Sequence, residues 1–191
     1  MTDPSNTHDP SANDWLPRLA SSFYTGHAVV FWTFVIAERQ TGWLDASFHH
    51  QFREQLLHTC HRYHLLCPAY VLMPDHLHLV LMGVAPNANQ RKAVAFFRRY
   101  LKPQPFDWQH QPHDHVLREK DREQGAFRKA MHYTLENPVR RNLCETAEDW
   151  TFSGCMAPGY PVLNPFQPNY WEIFWNAYWT ERTRPPTKPT P

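Results

Sequence analysis

Residues 69–81 read AYVLMPDHLHLVL. Two apolar runs, Ala69–Met73 and His76–Val84, flank Pro74-Asp75, a dipeptide that favours a tight turn, so the stretch predicts an antiparallel hairpin. Its second strand carries the chemistry. Side chains alternate across a strand, so His76 and His78 point to one face while Leu77, Leu79 and Leu81 point to the other. The leucine face needs an apolar cover. The histidine face presents two imidazoles side by side, a two-ligand clamp that leaves coordination positions open, as a catalytic metal requires. A chain with 13 histidines also produces surface pairs by chance, so the triplet by itself admits both readings.

Outward from the hairpin, strands and helices alternate. Val29–Ala37 (VVFWTFVIA) is rich in β-branched and aromatic residues and reads as a strand. Phe48–Leu66 repeats apolar residues at helical spacing. Asn87–Lys102 reads as a basic helix stopped by Pro103, Asp114–Arg118 as a short strand, and Arg122 to about Glu136 as a further helix. The order predicts an α+β fold, a ferredoxin-like split βαβ plan: an antiparallel sheet, helices on one face, and the last helix added near the open face. Residues 1–22 and the Pro-rich 183–191 are expected to be disordered tails, 23–156 the domain, and 157–182 a Pro-rich loop followed by a helix packed on the domain. In that helix Trp171, Trp175 and Trp179 share a face. Packing is expected over base stacking because Asn169–Glu181 contains Glu172 and Glu181 but no Lys or Arg.

Composition narrows the classes. Ala28–Ala37, the longest apolar stretch, is half the roughly 20 residues a membrane-spanning helix needs. The polar, acidic start is unlike a signal peptide. Cys60, Cys67, Cys144 and Cys155 have no CxxC spacing, so free thiols in a reducing cytoplasm are expected. The net charge is only +1, but residues 76–142 carry 12 Lys/Arg against 6 Asp/Glu. Arg91, Lys92, Arg98, Arg99 and Lys102 are positive with no acidic residue between them, and could track phosphates. A solvated helix face would look the same.

Other metal placements compete. His58, Cys60, His61, His64 and Cys67 fall in the predicted helix at mixed phases, and His110, His113 and His115 surround Asp114 in a predicted loop. Val80 stands where a histidine-triad hydrolase would need histidine. Tyr133 and Asn137 lie four apart on a predicted helix face: a phenol nucleophile and a neutral third ligand in the right setting, an ordinary helix pair in any other. Pro138 places Asn137 at the expected helix end.

Read together, the segments are specific. AYVLMPDHLHLVL resembles the HUH-motif strand pair of the REP-associated tyrosine transposases. HDHVLREKD at 113–121, followed by MHYTLENPVRRNLCETAEDWTFSG at 131–154, resembles their second block. Here a tyrosine helix runs into Asn-Pro-Val-Arg and then Trp150 and Ser153. This chain has Asp75 where asparagine is frequent, and Arg141-Asn142 where Ala-Gly is common. The resemblance spans about residues 23–156. It implies metal-dependent cleavage and strand transfer of single-stranded or hairpin DNA through a covalent 5′-phosphotyrosine. Tyr133 would be the nucleophile, with Mg²⁺ or Mn²⁺ on His76, His78 and, less directly, Asn137. Arg118, Arg140 and Arg141 complete the expected DNA-binding set with the basic helix. No membrane partner is expected, and the protein would be a monomer or homodimer. Two alternatives stay open: a domesticated hairpin-DNA-binding protein without transposition, and a metal-dependent phosphoesterase that uses water.

Overall fold

The computed structural model describes residues 18–118, 120 and 125–183. Five strands form one antiparallel sheet: β1 Val29–Val35, β2 Leu65–Met73, β3 His76–Gly83, β4 His113–Leu117 and β5 Ser153–Met156. Their order is β4-β1-β3-β2-β5. The hairpin closes with Met73 opposite His76, so Pro74-Asp75 is the two-residue turn. The bulge at Pro68 lets Leu66 and Ala69, three residues apart, face Met82 and Val80, two apart.

The alternation read from 76–82 splits the core in two. Leu77, Leu79 and Leu81 join Trp32, Phe34 and Leu72 beneath two helices, α1 (Ala46–Tyr63) and α2 (Gln90–Tyr100). Asp45 caps α1 through the Phe48 amide (2.7 Å), and Asn89 caps α2 through the Lys92 amide (3.0 Å). His64, in the left-handed region (φ 55°), ends α1, so Leu65–Cys67 belong to β2 rather than to the helix. This separates Cys67 from the helical His and Cys residues. All four cysteines are free thiols.

The opposite face, with Val29, Val80, Met82 and Leu117, is covered by α3 (Ala126–Arg140) and α4 (Tyr170–Thr183). Thus the added helix does lie across the histidine face. It also runs past its expected end, through Asn137 and Pro138 to Arg140. Pro138 has no N–H for the Thr134 carbonyl. The Asn137 amide nitrogen takes up part of that deficit, donating to the Thr134 carbonyl (3.4 Å) and the Tyr133 carbonyl (2.7 Å). The predicted helix start at Arg122 lies outside the described residues.

The tails divide differently from expectation where the chain is described. Arg18 pairs with Asp114 at 3.3 Å and Leu19 packs on the core, so 18–22 are attached to the domain; the rest of 1–22 lies outside the described residues. Residue 183 ends α4, and 184–191 also lie outside them. β4 begins at His113, one residue early, so the histidines around Asp114 are in or beside an edge strand rather than a loop.

In α4 the deepest stripe is Tyr170, Phe174, Ala177 and Tyr178, with Trp171 and Trp175 at its flank and Trp179 exposed. The aromatic stripe that the tryptophan spacing suggested is therefore rotated. The smaller rings and Ala177 fit against α3 and the sheet, while the wider indoles ride the edge. Phe174 is fully buried. Phe174→Ala is expected to lower the unfolding free energy by about 3–5 kcal/mol in urea titrations. Among the described residues no helix is long and apolar enough to cross a membrane.

Candidate active site

Strand register builds the floor of the site. Thr33 of β1 faces His78, and Val35 faces His76. Beyond β1, the edge strand places His113 opposite Thr33. α3 then supplies a wall: Tyr133, Asn137 and Arg140 successively along one side, followed by Arg141. These side chains and Arg39 line a pocket of about 380 Å³.

Both histidines are nearly inaccessible, at 5% and 6% exposure, and each has a partner on the same ring nitrogen. His78 Nδ1 lies 2.9 Å from Thr33 Oγ1. His76 Nδ1 lies 2.6 Å from Asp75 Oδ1, and Asp75 is itself paired with Arg39 at 2.9 Å. With Nδ1 engaged, Nε2 of each imidazole is the nitrogen available to a ligand. Such outer partners fix ring orientation and tautomer in metal sites. The rings meet edge to face with centroids 4.8 Å apart.

The electrostatics favour neutral imidazoles. Burial pushes His78 down to about 3, helped by His76 and Arg141. Burial also lowers His76, against the opposing pull of Asp75. Burial alone would raise the Asp75 carboxyl, yet hydrogen bonds from His76 and Arg39 hold it below its usual range. Neutral imidazole is the form that binds a metal. Among the described residues no three His, Cys, Asp or Glu side chains converge as a metal cluster. Any third protein donor to an ion on the two imidazoles would have to be a residue of another type. Asn137, 7% exposed, has its amide nitrogen committed to the helix, so its carbonyl oxygen is what it offers. Two imidazole nitrogens and one amide oxygen suit a hexacoordinate Mn²⁺ or Mg²⁺ with open positions.

Tyr133 is 41% exposed. Its ring is held edge-on by Phe31 (5.9 Å) and His78 (6.1 Å), with the Arg140 guanidinium 4.8 Å from its centroid. Among the described residues no hydrogen bond ties down its hydroxyl.

The structure divides the expected DNA-binding set. Arg140 and Arg141 are at the pocket. The five cations on and after α2 are not, because α2 packs beneath the leucine face. Arg98 donates to the carbonyls of Gln109 and His110, Lys102 pairs with Asp107, and Arg91 donates to Ser21 and lies over Tyr24. Arg99 rests over Tyr100; Lys92 is exposed. Arg98 thus holds the approach to β4 in place. Arg118, after β4, lies over Phe23. Sequence reading missed Thr33, Arg39 and His113 as pocket residues. Arg39 is brought in by a left-handed backbone (φ 55°) that no local pattern announces. His113 could have been found from the alternation of His-Asp-His in a strand.

No family model matches the chain. It is 22% identical to a protein of Haemophilus influenzae named for the REP-associated tyrosine transposases, over 147 residues that cover 68% of this chain and 81% of the relative. A solved REP-associated tyrosine transposase, bound to a REP hairpin, superposes with a TM-score of 0.60 at 19% identity, covering 73% of this chain and 81% of that one. The α+β fold is thus shared with a transposase of this kind, and the resemblance read from the two motif blocks is supported by both sequence and fold.

Proposed function

We propose that this chain cleaves and rejoins single-stranded DNA, at or beside palindromic hairpins, through a covalent bond between Tyr133 and a 5′-phosphate. One observation carries the reading: two neutral imidazoles with their Nδ1 atoms already engaged share a pocket with two arginines and a tyrosine whose hydroxyl has no hydrogen-bond partner among the described residues. A Mg²⁺ or Mn²⁺ ion on His76, His78 and Asn137 would polarise a non-bridging phosphate oxygen and offset charge in the transition state.

The protein's own residues do the rest. Tyr133 Oη attacks phosphorus in line and gives up its proton, and the DNA 3′-oxygen leaves as a hydroxyl. Arg140, over the tyrosine ring, and Arg141, at the same pocket, offset the charge of the phosphate. The phosphotyrosine keeps the energy of the broken bond, so an incoming 3′-OH can reverse the step and join a new strand.

Incubation with labelled single-stranded hairpin DNA and Mn²⁺, followed by a denaturing gel, tests this. A covalent protein–DNA adduct is expected. Metal-dependent cutting without an adduct would point to hydrolysis by water; tight hairpin binding without cutting, to a purely binding protein. The solved neighbour bound to a REP hairpin makes that last outcome the rival reading.

Thr33 tests the outer shell. Thr33→Val removes the partner of His78 Nδ1 at nearly constant volume. It is expected to weaken Mn²⁺ binding by about 10–100-fold in calorimetric titration, with an unchanged melting temperature.

A further inference from the structure

Cleavage as proposed above leaves one proton without a donor. When the bond from phosphorus to the DNA 3′-oxygen breaks, its electron pair stays on that oxygen, which departs readily only if a proton reaches it. The pocket holds few groups able to supply one. Arg39, Arg140 and Arg141 line it, but a guanidinium keeps its protons in a protein. Thr33 is engaged with His78, and Asp75 with His76. Burial favours the neutral form of both those imidazoles, and their free Nε2 atoms are the ones a metal would take. Asn137 commits its amide nitrogen to carbonyls of its own helix. His113 remains. It is exposed, it lines the same pocket, and its side chain has no hydrogen bond or ion pair among the described residues. Imidazole is also the side chain suited to give and take protons near neutral pH.

We infer that His113 is the acid that protonates the departing 3′-oxygen, and the base that takes that proton back when a 3′-OH attacks the phosphotyrosine. The inference rests on the function proposed above. Position selects this step over activation of the nucleophile. α3 packs over β2 and β3, and Tyr133 reaches from it to Phe31 on β1. β4 lies beyond β1, and His113 stands there opposite Thr33. Tyr133 and His113 therefore border the histidine floor from opposite sides. In-line displacement likewise sets the entering and leaving oxygens on opposite sides of phosphorus. His113 and His78 are two strands apart, and spacings of roughly 4.8 Å each leave room for a phosphate between them. That separation also keeps His113 from being a third ligand: among the described residues it forms no metal cluster with His76 and His78. The charged groups across the pocket from it are Arg39, Arg140 and Arg141. Asp114, next in sequence, is turned to the other face by strand alternation, where Arg18 (3.3 Å) and Tyr24 (2.5 Å) hold it. His115 shares the face of His113 but stands opposite Phe31. The proton balance closes: Tyr133, open to solvent, releases its proton to water as its oxygen bonds to phosphorus, and the His113 imidazolium gives one to the 3′-oxygen.

A sulphur substitution separates this role from every other. Two labelled hairpin DNAs are compared in single-turnover adduct formation at one Mn²⁺ concentration. One is ordinary, and the other carries sulphur in place of the 3′-bridging oxygen at the scissile phosphate. A thiolate leaves without a proton, so it has no need of an acid. His113→Gln is expected to slow the ordinary DNA by about a hundredfold or more, and the sulphur DNA by less than about threefold. Because His113 is exposed and unpaired among the described residues, the variant should keep the parent's melting temperature. Hairpin affinity by anisotropy and Mn²⁺ affinity by calorimetry should be unchanged as well.

Equal slowing on both DNAs would overturn the inference, since it would place His113 on the side of the nucleophile or of positioning. No slowing on either would make His113 a bystander. Lost Mn²⁺ affinity would make it a ligand, and the inference would fail in that case too. The unmodified protein reports separately on the proposed function. An adduct from it together with equal slowing in the variant sinks the role of His113 alone. No adduct from it on either DNA sinks the proposed chemistry, and the role of His113 with it.

Discussion

Tyr133→Phe is expected to eliminate the covalent adduct and lower DNA cleavage by about a thousandfold or more, the scale on which enzymes respond to loss of their nucleophile. The substitution removes one atom, the oxygen that would attack phosphorus. It keeps the ring that packs on Phe31 and His78 and lies under Arg140. Because the hydroxyl has no hydrogen-bond partner among the described residues, its loss leaves no orphaned group. Melting temperature and blunt-hairpin affinity should therefore match the unmodified protein. An adduct that survives in this variant means another nucleophile. Tyr100, which is 59% exposed, and Tyr63 are the alternatives the sequence offers, but both belong to the α1–α2 layer on the other side of the sheet.

His76→Ala and His78→Ala are each expected to abolish metal-dependent cleavage and reduce Mn²⁺ affinity at least a hundredfold, with the fold retained. One imidazole cannot replace two, since the ligands act together in a single coordination sphere. The two variants should differ in their side effects. His76→Ala leaves Asp75 still paired with Arg39. His78→Ala removes a ring packed between Phe31 and Tyr133, so it should also loosen the tyrosine and lower the melting temperature more. Asn137→Ala should weaken Mn²⁺ binding less than either, because water can take the place of a neutral amide oxygen. Calorimetric Mn²⁺ titration with circular dichroism separates these effects. Full Mn²⁺ affinity in either histidine variant would move the metal away from this pocket.

Much of the site is local information. The period of two in His76-Leu77-His78 sets both imidazoles on one side of β3 wherever that strand lies, since alternation is a property of the extended backbone itself. The four-residue spacing from Tyr133 to Asn137 likewise puts phenol and amide on one side of any helix that holds them. The Pro74-Asp75 turn fixes the pairing of β2 with β3.

What local pattern leaves undetermined is which layer an element joins. The basic run of α2 reads as a set of cations that could track phosphates, and its sequence does not say on which side of the sheet they lie; its apolar stripe of Ala93, Val94 and Phe97 packs under the leucine face. That puts its cations on the far side of the sheet, with Arg98 spent on backbone carbonyls. The tryptophan stripe of α4 was regular in sequence, yet Tyr170, Phe174 and Ala177 go inward, because the shape of the facing surface selects the buried side. Thr33 and Arg39 enter the pocket from more than thirty residues away along the chain, brought by strand pairing and a left-handed turn. Periodicity orients side chains about their own element. Only the packing of elements distant in sequence decides what those side chains meet.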